Sequence, residues 1–175
     1  SVEEYRENIV AIMLEPIQGD GGIQAATPEF LKAIRKLCDE HDLLMILDEI
    51  QTGLCRTGSW FAYQDHDLLP DVLTIAKTLG NGFPIGAYLS RDKANNLFPP
   101  GKHGSTFAGS SLACAVAITV VKTLEEEKIS EHVKKIGNHL IQQLKSSFAG
   151  HPHVVSIRRQ GLMLGVELDK NCRDL

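Results

Sequence analysis

No CxxC pair occurs among the four cysteines, Cys38, Cys55, Cys114 and Cys172, so their spacing suggests neither a zinc ribbon nor a redox dithiol. Three of them sit inside apolar patterns, where buried free thiols are expected. No apolar run approaches the roughly 20 residues that span a bilayer, and no basic, apolar, small-residue leader is recognisable, so a cytoplasmic protein that does not enter the membrane is expected. A basic stripe is lacking too. The net charge of -4 comes from 18 basic and 22 acidic residues spread along the chain, which removes nucleic acid from the expected partners. The seven histidines show no ligand spacing: His41, His66, His132 and His139 are isolated, and His151-Pro152-His153 reads as an exposed turn, so no metal site is expected. Repeats and low-complexity tracts are missing as well.

What is present is ordinary for a globular protein: 43% hydrophobic and 23% charged residues in a chain of 175, enough for one sizeable core. The chain starts at Ser1 without a methionine and stops at Leu175 just after a strand-like run, which suggests a piece of something longer. Ile9 to Leu14 is a continuous apolar run closed by Glu15-Pro16 and the glycine-rich turn Gly19 to Gly22, the pattern of a buried strand ending in a loop. Thr27-Pro28-Glu29 then supplies an N-cap, a proline at the first helical position and an early acid. Phe30, Leu31, Ile34, Leu37 and Cys38 follow at helical spacing. Leu43 to Leu47 reads as a second buried strand ending at Asp48. The three elements form a strand-helix-strand unit, with parallel strands and a right-handed crossover expected.

The stretch around which the rest is organised is Val72 to Gly86, VLTIAKTLGNGFPIG, where a short apolar strand delivers Lys77 into a glycine-rich loop. Ligands bind off the carboxyl ends of parallel strands, so Lys77 is expected to face a cleft. Held among apolar neighbours, an amine becomes partly neutral and nucleophilic, as Schiff-base chemistry requires. The alternative is a solvated lysine after a strand. Ile85 to Leu89 reads as another short strand. Beyond the glycine- and hydroxyl-rich loop Gly101 to Ser111, helices are expected over Leu112 to Glu127 and around Val133 to Leu144, and strands over Val154 to Ile157 and Leu162 to Leu168.

Three strand ends thus present Glu15, Asp48 and Lys77 at one edge of the sheet. An apolar strand ending in Asp48-Glu49 looks like a magnesium-holding strand of a nucleotide hydrolase. Its partner motif is missing, however: no GxxxxGK[ST] occurs, and the sole Gly-Lys, Gly101-Lys102, is followed by His103. No GxGxxG follows a strand, so a dinucleotide site is not supported either. A lysine for an aldehyde cofactor and an aspartate for its ring nitrogen is the arrangement pyridoxal phosphate needs. Bland alternatives stand beside each residue: Glu15 capping a turn, Gln51 satisfying loop amides, and Ser105 and Thr106 as ordinary turn residues.

Four motifs in order and spacing, EPIQGDGG at Glu15 to Gly22, LDEIQTGLCRTG at Leu47 to Gly58, IAKTLGNGFPIGA at Ile75 to Ala87 and HGSTFAG at His103 to Gly109, resemble the class III aminotransferases of fold type I, acetylornithine and ornithine aminotransferases in particular. The resemblance covers nearly the whole chain. It implies an α/β fold with a mainly parallel sheet flanked by helices, residues 1–126 belonging to a large pyridoxal-phosphate domain and residues 127–175 to a linking helix and the start of a small α+β domain. It implies Lys77 as the Schiff-base lysine and proton carrier, Asp48 as partner of the pyridine nitrogen, and Gln51 as partner of the cofactor's phenolic oxygen. Thr106 would bind the cofactor phosphate of a neighbouring subunit in a homodimer with shared sites. Ser105, Glu15 and Asp20 would lie toward the substrate.

The implied reaction moves an amino group from an ω-amino donor, acetylornithine preferred, to 2-oxoglutarate, a step of arginine biosynthesis. Ornithine, succinylornithine and 4-aminobutyrate stay open as donors, as do a racemase or aminomutase within the fold. A non-catalytic phosphate-binding module and a nucleotide hydrolase stay open outside it. Four positions depart from the family pattern: Asp20 stands where glutamate is usual, Cys55 where glycine or alanine is common, and Ser110-Ser111 where Asn-Pro is common. The upstream segment that cups the cofactor phosphate and the downstream arginine for the substrate carboxylate are expected outside the chain.

Overall fold

The computed structural model describes residues 7–172. Its strand-helix-strand unit forms in the expected order, but the first strand is not buried: it lies at the edge of the sheet, with Met13 57% exposed. Strand β1 (Ala11–Leu14) pairs in parallel with β4 (Leu44–Asp48), with Leu14 opposite Leu47. Between them run the two-residue strands β2 (Ile17–Gln18) and β3 (Gln24–Ala25) and helix α1 (Pro28–Glu40). The Thr27 hydroxyl accepts from Phe30 N at 3.2 Å, satisfying one of the amides a helix start leaves open. Leu31 and Cys38, two turns apart, are both fully buried and press one face of α1 onto the sheet. Met45 and Leu47 of β4 complete that core with Leu43, Leu68 and Leu73.

Strand β5 (Val72–Ile75) continues the sheet in parallel with β4, and Asp48 stands opposite Thr74. The last strand, β6 (Ala87–Ser90), pairs with β5 antiparallel, giving the order β1-β4-β5-β6. The short connection between β5 and β6 explains the reversal, because a parallel return needs a crossover of a dozen or more residues. Helix α2 (Ser111–Glu126), capped by the Ser110 hydroxyl on Ala113 N at 3.3 Å, leans Ala117, Val121 and Leu124 on Leu54, Ile75 and Leu79. Helix α3 (Ile129–Ser147) follows, then an antiparallel hairpin of β7 (Val154–Gln160) and β8 (Met163–Leu168). The hairpin turn reaches back to the first half of the chain. A Cβ on Gly161, whose φ is +58°, would lie 2.4 Å from the Thr57 Cα, so only glycine lets these backbones meet.

The expected buried thiols are only partly found. All four cysteines are free, but Cys38 and Cys55 are buried while Cys114 is half-buried and Cys172 exposed. No helix among the described residues is long and apolar enough to cross a membrane.

One ion pair joins the layers at the amino end of β5. The Asp71 carboxylate accepts from Met45 N at 2.7 Å and from Arg35 of α1 at 2.8 Å. Burial by itself would push this carboxyl up, but the Met45 N–H and the Arg35 guanidinium outweigh it and hold the group below its ordinary 3.8. A carboxyl depressed on folding stabilises above its unfolded value and loses that contribution as pH falls through the folded one. Asp71→Asn is therefore expected to cost about 1.5–3 kcal/mol at neutral pH. Denaturant titrations from pH 7 downward should show the gap from wild type closing below about pH 4; a gap independent of pH would refute this account of Asp71.

Candidate active site

Because β1, β4 and β5 are parallel, their carboxyl ends share one edge, and Glu15, Asp48 and Lys77 leave the sheet there. Asp48 is half-buried, its Oδ1 accepting from Ile50 N at 2.9 Å in a tight turn that aims the chain out of the strand. Lys77 opens a short 3-10 turn, Lys77–Leu79, in which Leu79 is buried and acts as the anchor. Its φ of +40° lies in the left-handed region, a conformation that costs a non-glycine residue on the order of 1–2 kcal/mol. Such strain persists only where surrounding structure enforces it, and it collects at functional sites. Lys77 itself is exposed among the described residues, whereas Ile75 before it and Leu79 after it are buried.

The turn after β1 gathers three more of the expected residues. Glu15 Oε2 accepts from Gly19 N at 3.0 Å, which is the turn-capping contact weighed for it. Gln51 donates from Nε2 to Asp20 Oδ1 at 3.3 Å, and its amide lies so close over Gly19 that a Cβ there would come within 2.3 Å of it. Glu15, Asp20 and Gln51 thus form one connected group around Gly19. Ser105 stands apart, on the exposed loop 101–110, and lines a cavity of about 390 Å³ with Pro84, Ile85, Gly86 and His103. That cavity brings its loop against the one that begins at Lys77. Thr106 is exposed beside it. A second cavity, about 590 Å³ and lined by Arg35, Tyr63, Asp71 and Arg91, lies at the amino end of β5 and so away from these residues.

Two residues shape this edge that the motifs did not single out for a role. Glu49, only 1% exposed, points inward and accepts from Ala62 N at 2.7 Å, Tyr63 N at 2.9 Å and the Thr52 hydroxyl at 2.8 Å. Burial pushes its carboxyl up while the Tyr63, Ala62 and Thr52 donors pull it down, leaving it raised from 4.5. The only available signal was an acid followed by a threonine three residues on. The fully engaged Glu49 leaves no second acid for the magnesium strand of a nucleotide hydrolase. Arg158 of β7 donates from Nε to Gly22 O at 2.8 Å, tying the hairpin to the turn that carries Asp20. No local pattern could reveal a contact across 136 positions.

Residues 1–174 match the family model described as Aminotransferase class-III. The chain belongs to the class III aminotransferases. Among curated members, it is 45% identical over 169 residues to acetylornithine aminotransferase 1 of Bordetella pertussis, covering 97% of this chain and 43% of that protein. It is 49% identical over 168 residues to the acetylornithine aminotransferase of Caldanaerobacter subterraneus subsp. tengcongensis, covering 95% and 42%. Among solved structures, an ornithine aminotransferase from Toxoplasma gondii, described as having partial occupancy of PLP at its active site, superposes with a TM-score of 0.89 at 39% identity over 96% of this chain and 40% of that one. The α/β architecture with a mainly parallel sheet is thus that of the class III family. The chain spans under half the length of these relatives.

Proposed function

We propose that the intact protein is a cytoplasmic, homodimeric aminotransferase of the acetylornithine type, moving an amino group from acetylornithine to 2-oxoglutarate with pyridoxal phosphate, and so serving arginine biosynthesis. The observation that carries this reading is the meeting of a lysine, a carboxylate and an amide at one edge of a parallel sheet, in a chain so similar to proteins named acetylornithine aminotransferase. The donor set fits the group: an exposed amine at Lys77, a half-buried carboxylate at Asp48 and the Gln51 amide braced over Gly19. Bound there, pyridoxal phosphate supplies an aldehyde that captures amines and a ring that accepts an electron pair.

Each residue has a distinct task. Lys77 Nζ anchors the cofactor and then carries the proton away from the donor's reacting carbon. The Asp48 carboxylate holds a proton on the ring nitrogen, a charge-assisted contact stronger than a neutral one. Gln51 donates to the phenolic oxygen, and Thr106 of a neighbouring subunit contacts the phosphate. Ser105, Glu15 and Asp20 face the substrate, with Asp20 held at the site through Gln51. The separate sheets support a large domain over residues 1–126 and the start of a small one over 127–175, with Arg158 bridging them.

Titrating the visible spectrum of the intact, cofactor-loaded protein with amino donors tests the reading. Acetylornithine should convert the cofactor at the lowest concentration, ahead of ornithine and 4-aminobutyrate, and 2-oxoglutarate should restore the starting spectrum. A spectrum indifferent to every donor would sink the aminotransferase; preference for 4-aminobutyrate would reassign the donor alone.

A further inference from the structure

We propose that Glu49 is a positioning residue for this site, fixing the backbone that presents Asp48 and Gln51; the inference rests on the pyridoxal-phosphate reading above. Asp48 and Glu49 leave β4 on opposite faces, as neighbours on a strand must. The first stays half-buried at the open edge, and the second turns into the core. Every polar group of Glu49 is engaged. Its N–H donates to Thr74 O at 3.0 Å, extending the ladder to β5 one residue beyond the strand, and its carbonyl accepts from Gly53 N at 2.9 Å. Its Oε1 accepts from Tyr63 N, and its Oε2 from Ala62 N and the Thr52 hydroxyl. One side chain therefore locks the start of the turn to the 3-10 helix Ala62–His66.

The turn needs such a lock. Leu54 and Cys55, both buried, stand in succession at φ +55° and +69°, a strained pair that the chain would relax if released. Leu162 N donates to Arg56 O at 3.0 Å at the far end, so the segment is held at Glu49 on one side and at the β7–β8 hairpin on the other. A buried carboxylate is a costly way to fill space, and an apolar side chain would do so without desolvating a charge. What it offers is acceptors on both oxygens, which two adjacent backbone N–H groups use. A glutamine has one, so Glu49→Gln sets an amide N–H against Ala62 N–H or Tyr63 N–H and frees one of the two.

The test uses the intact protein with Glu49→Gln, and Asp71→Asn as a control of comparable instability at the opposite end of the strands. In the cofactor-free protein, amide hydrogen exchange at Ala62, Tyr63 and residues 50–54 should rise at least about tenfold more than in the rest of the chain in Glu49→Gln, whereas in Asp71→Asn residues 50–54 should rise no more than the rest of the chain. In the loaded protein, kcat should fall roughly 10²-fold, the cost of a small misplacement, with the donor's KM within about threefold of wild type. Asp71→Asn should keep kcat. If Glu49→Gln does not fold cooperatively, Thr52→Val, which removes one donor and strands no amide, should show the same local exchange and a kcat lowered about threefold. Wild-type kcat, or exchange raised evenly across the chain, overturns the inference. Borohydride fixation of the cofactor on Lys77 in the wild type separates the two failures: without it the pyridoxal-phosphate reading falls, whereas fixation with an unaffected Glu49→Gln removes the positioning role alone.

Discussion

Lys77→Ala in the intact protein should lower amino transfer by at least about 10⁴-fold while leaving the fold unchanged. Losing a positioned base accounts for 10²–10⁴ of rate by itself, and losing the anchoring amine compounds it. Stability should hold because Lys77 is exposed and the buried Leu79, two residues on, is what fastens the loop to Leu54 and Ile75. Lys77→Arg should fail equally. The guanidinium keeps the charge but is never neutral, so it cannot serve as a nucleophile or take up a proton, which distinguishes electrostatics from chemistry at this position. Single-turnover measurements with donor in excess give the rate, and borohydride reduction followed by peptide mass analysis should find cofactor on the wild-type Lys77 peptide and nowhere in the variants. Amino transfer at a wild-type rate by either variant would falsify the assignment.

The second large effect concerns the exposed loop 101–110. Phe107 there is 84% exposed, and Leu112 in the first turn of α2 63%, apolar side chains suited to a second subunit. If Thr106 serves the neighbour's cofactor, Lys77→Ala and Thr106→Val place their defects in different sites. Thr106→Val should weaken cofactor affinity by about 1.5–3 kcal/mol, roughly one to two orders of magnitude, since a hydroxyl bonded to a charged phosphate is lost. Mixed and re-associated, half the dimers would be hybrids, and each hybrid would hold one site with both native residues, restoring about a quarter of wild-type activity at limiting cofactor. Mixtures no more active than the average of the two parents would mean that Thr106 acts in its own subunit's site or in none.

Much of this chain could be read without coordinates, because the relevant physics is local. An apolar run between turn residues becomes β1, β4 or β5; Thr27-Pro28 starts α1 within one residue of where the spacing puts it; and a strand-helix-strand order leaves parallel strands as the natural outcome. Parallel strands then bring Glu15, Asp48 and Lys77 to one edge, so even the candidate site followed from one-dimensional order. Four motifs in sequence were enough for the family.

Other features depended on distances that no local pattern encodes. Glu49 and Asp48 are adjacent acids of similar intrinsic chemistry, yet one is inside and one at the open edge, and only the packing of residues 62 and 63 beneath β4 decides which is which. Lys77 is likewise exposed although its apolar neighbours in sequence, Ile75 and Leu79, are buried. The β2–β3 pair and the Arg158 contact to Gly22 require chain segments to return to each other, and the strand pair is too short to leave a periodic signal. Sequence by itself determined where the longer strands and helices form and which side chains reach the carboxyl edge, because helix and strand periodicities are properties of neighbouring residues. The tertiary structure alone decided which of those side chains are braced, paired or left to solvent, because burial and hydrogen-bond partners belong to the assembled layers.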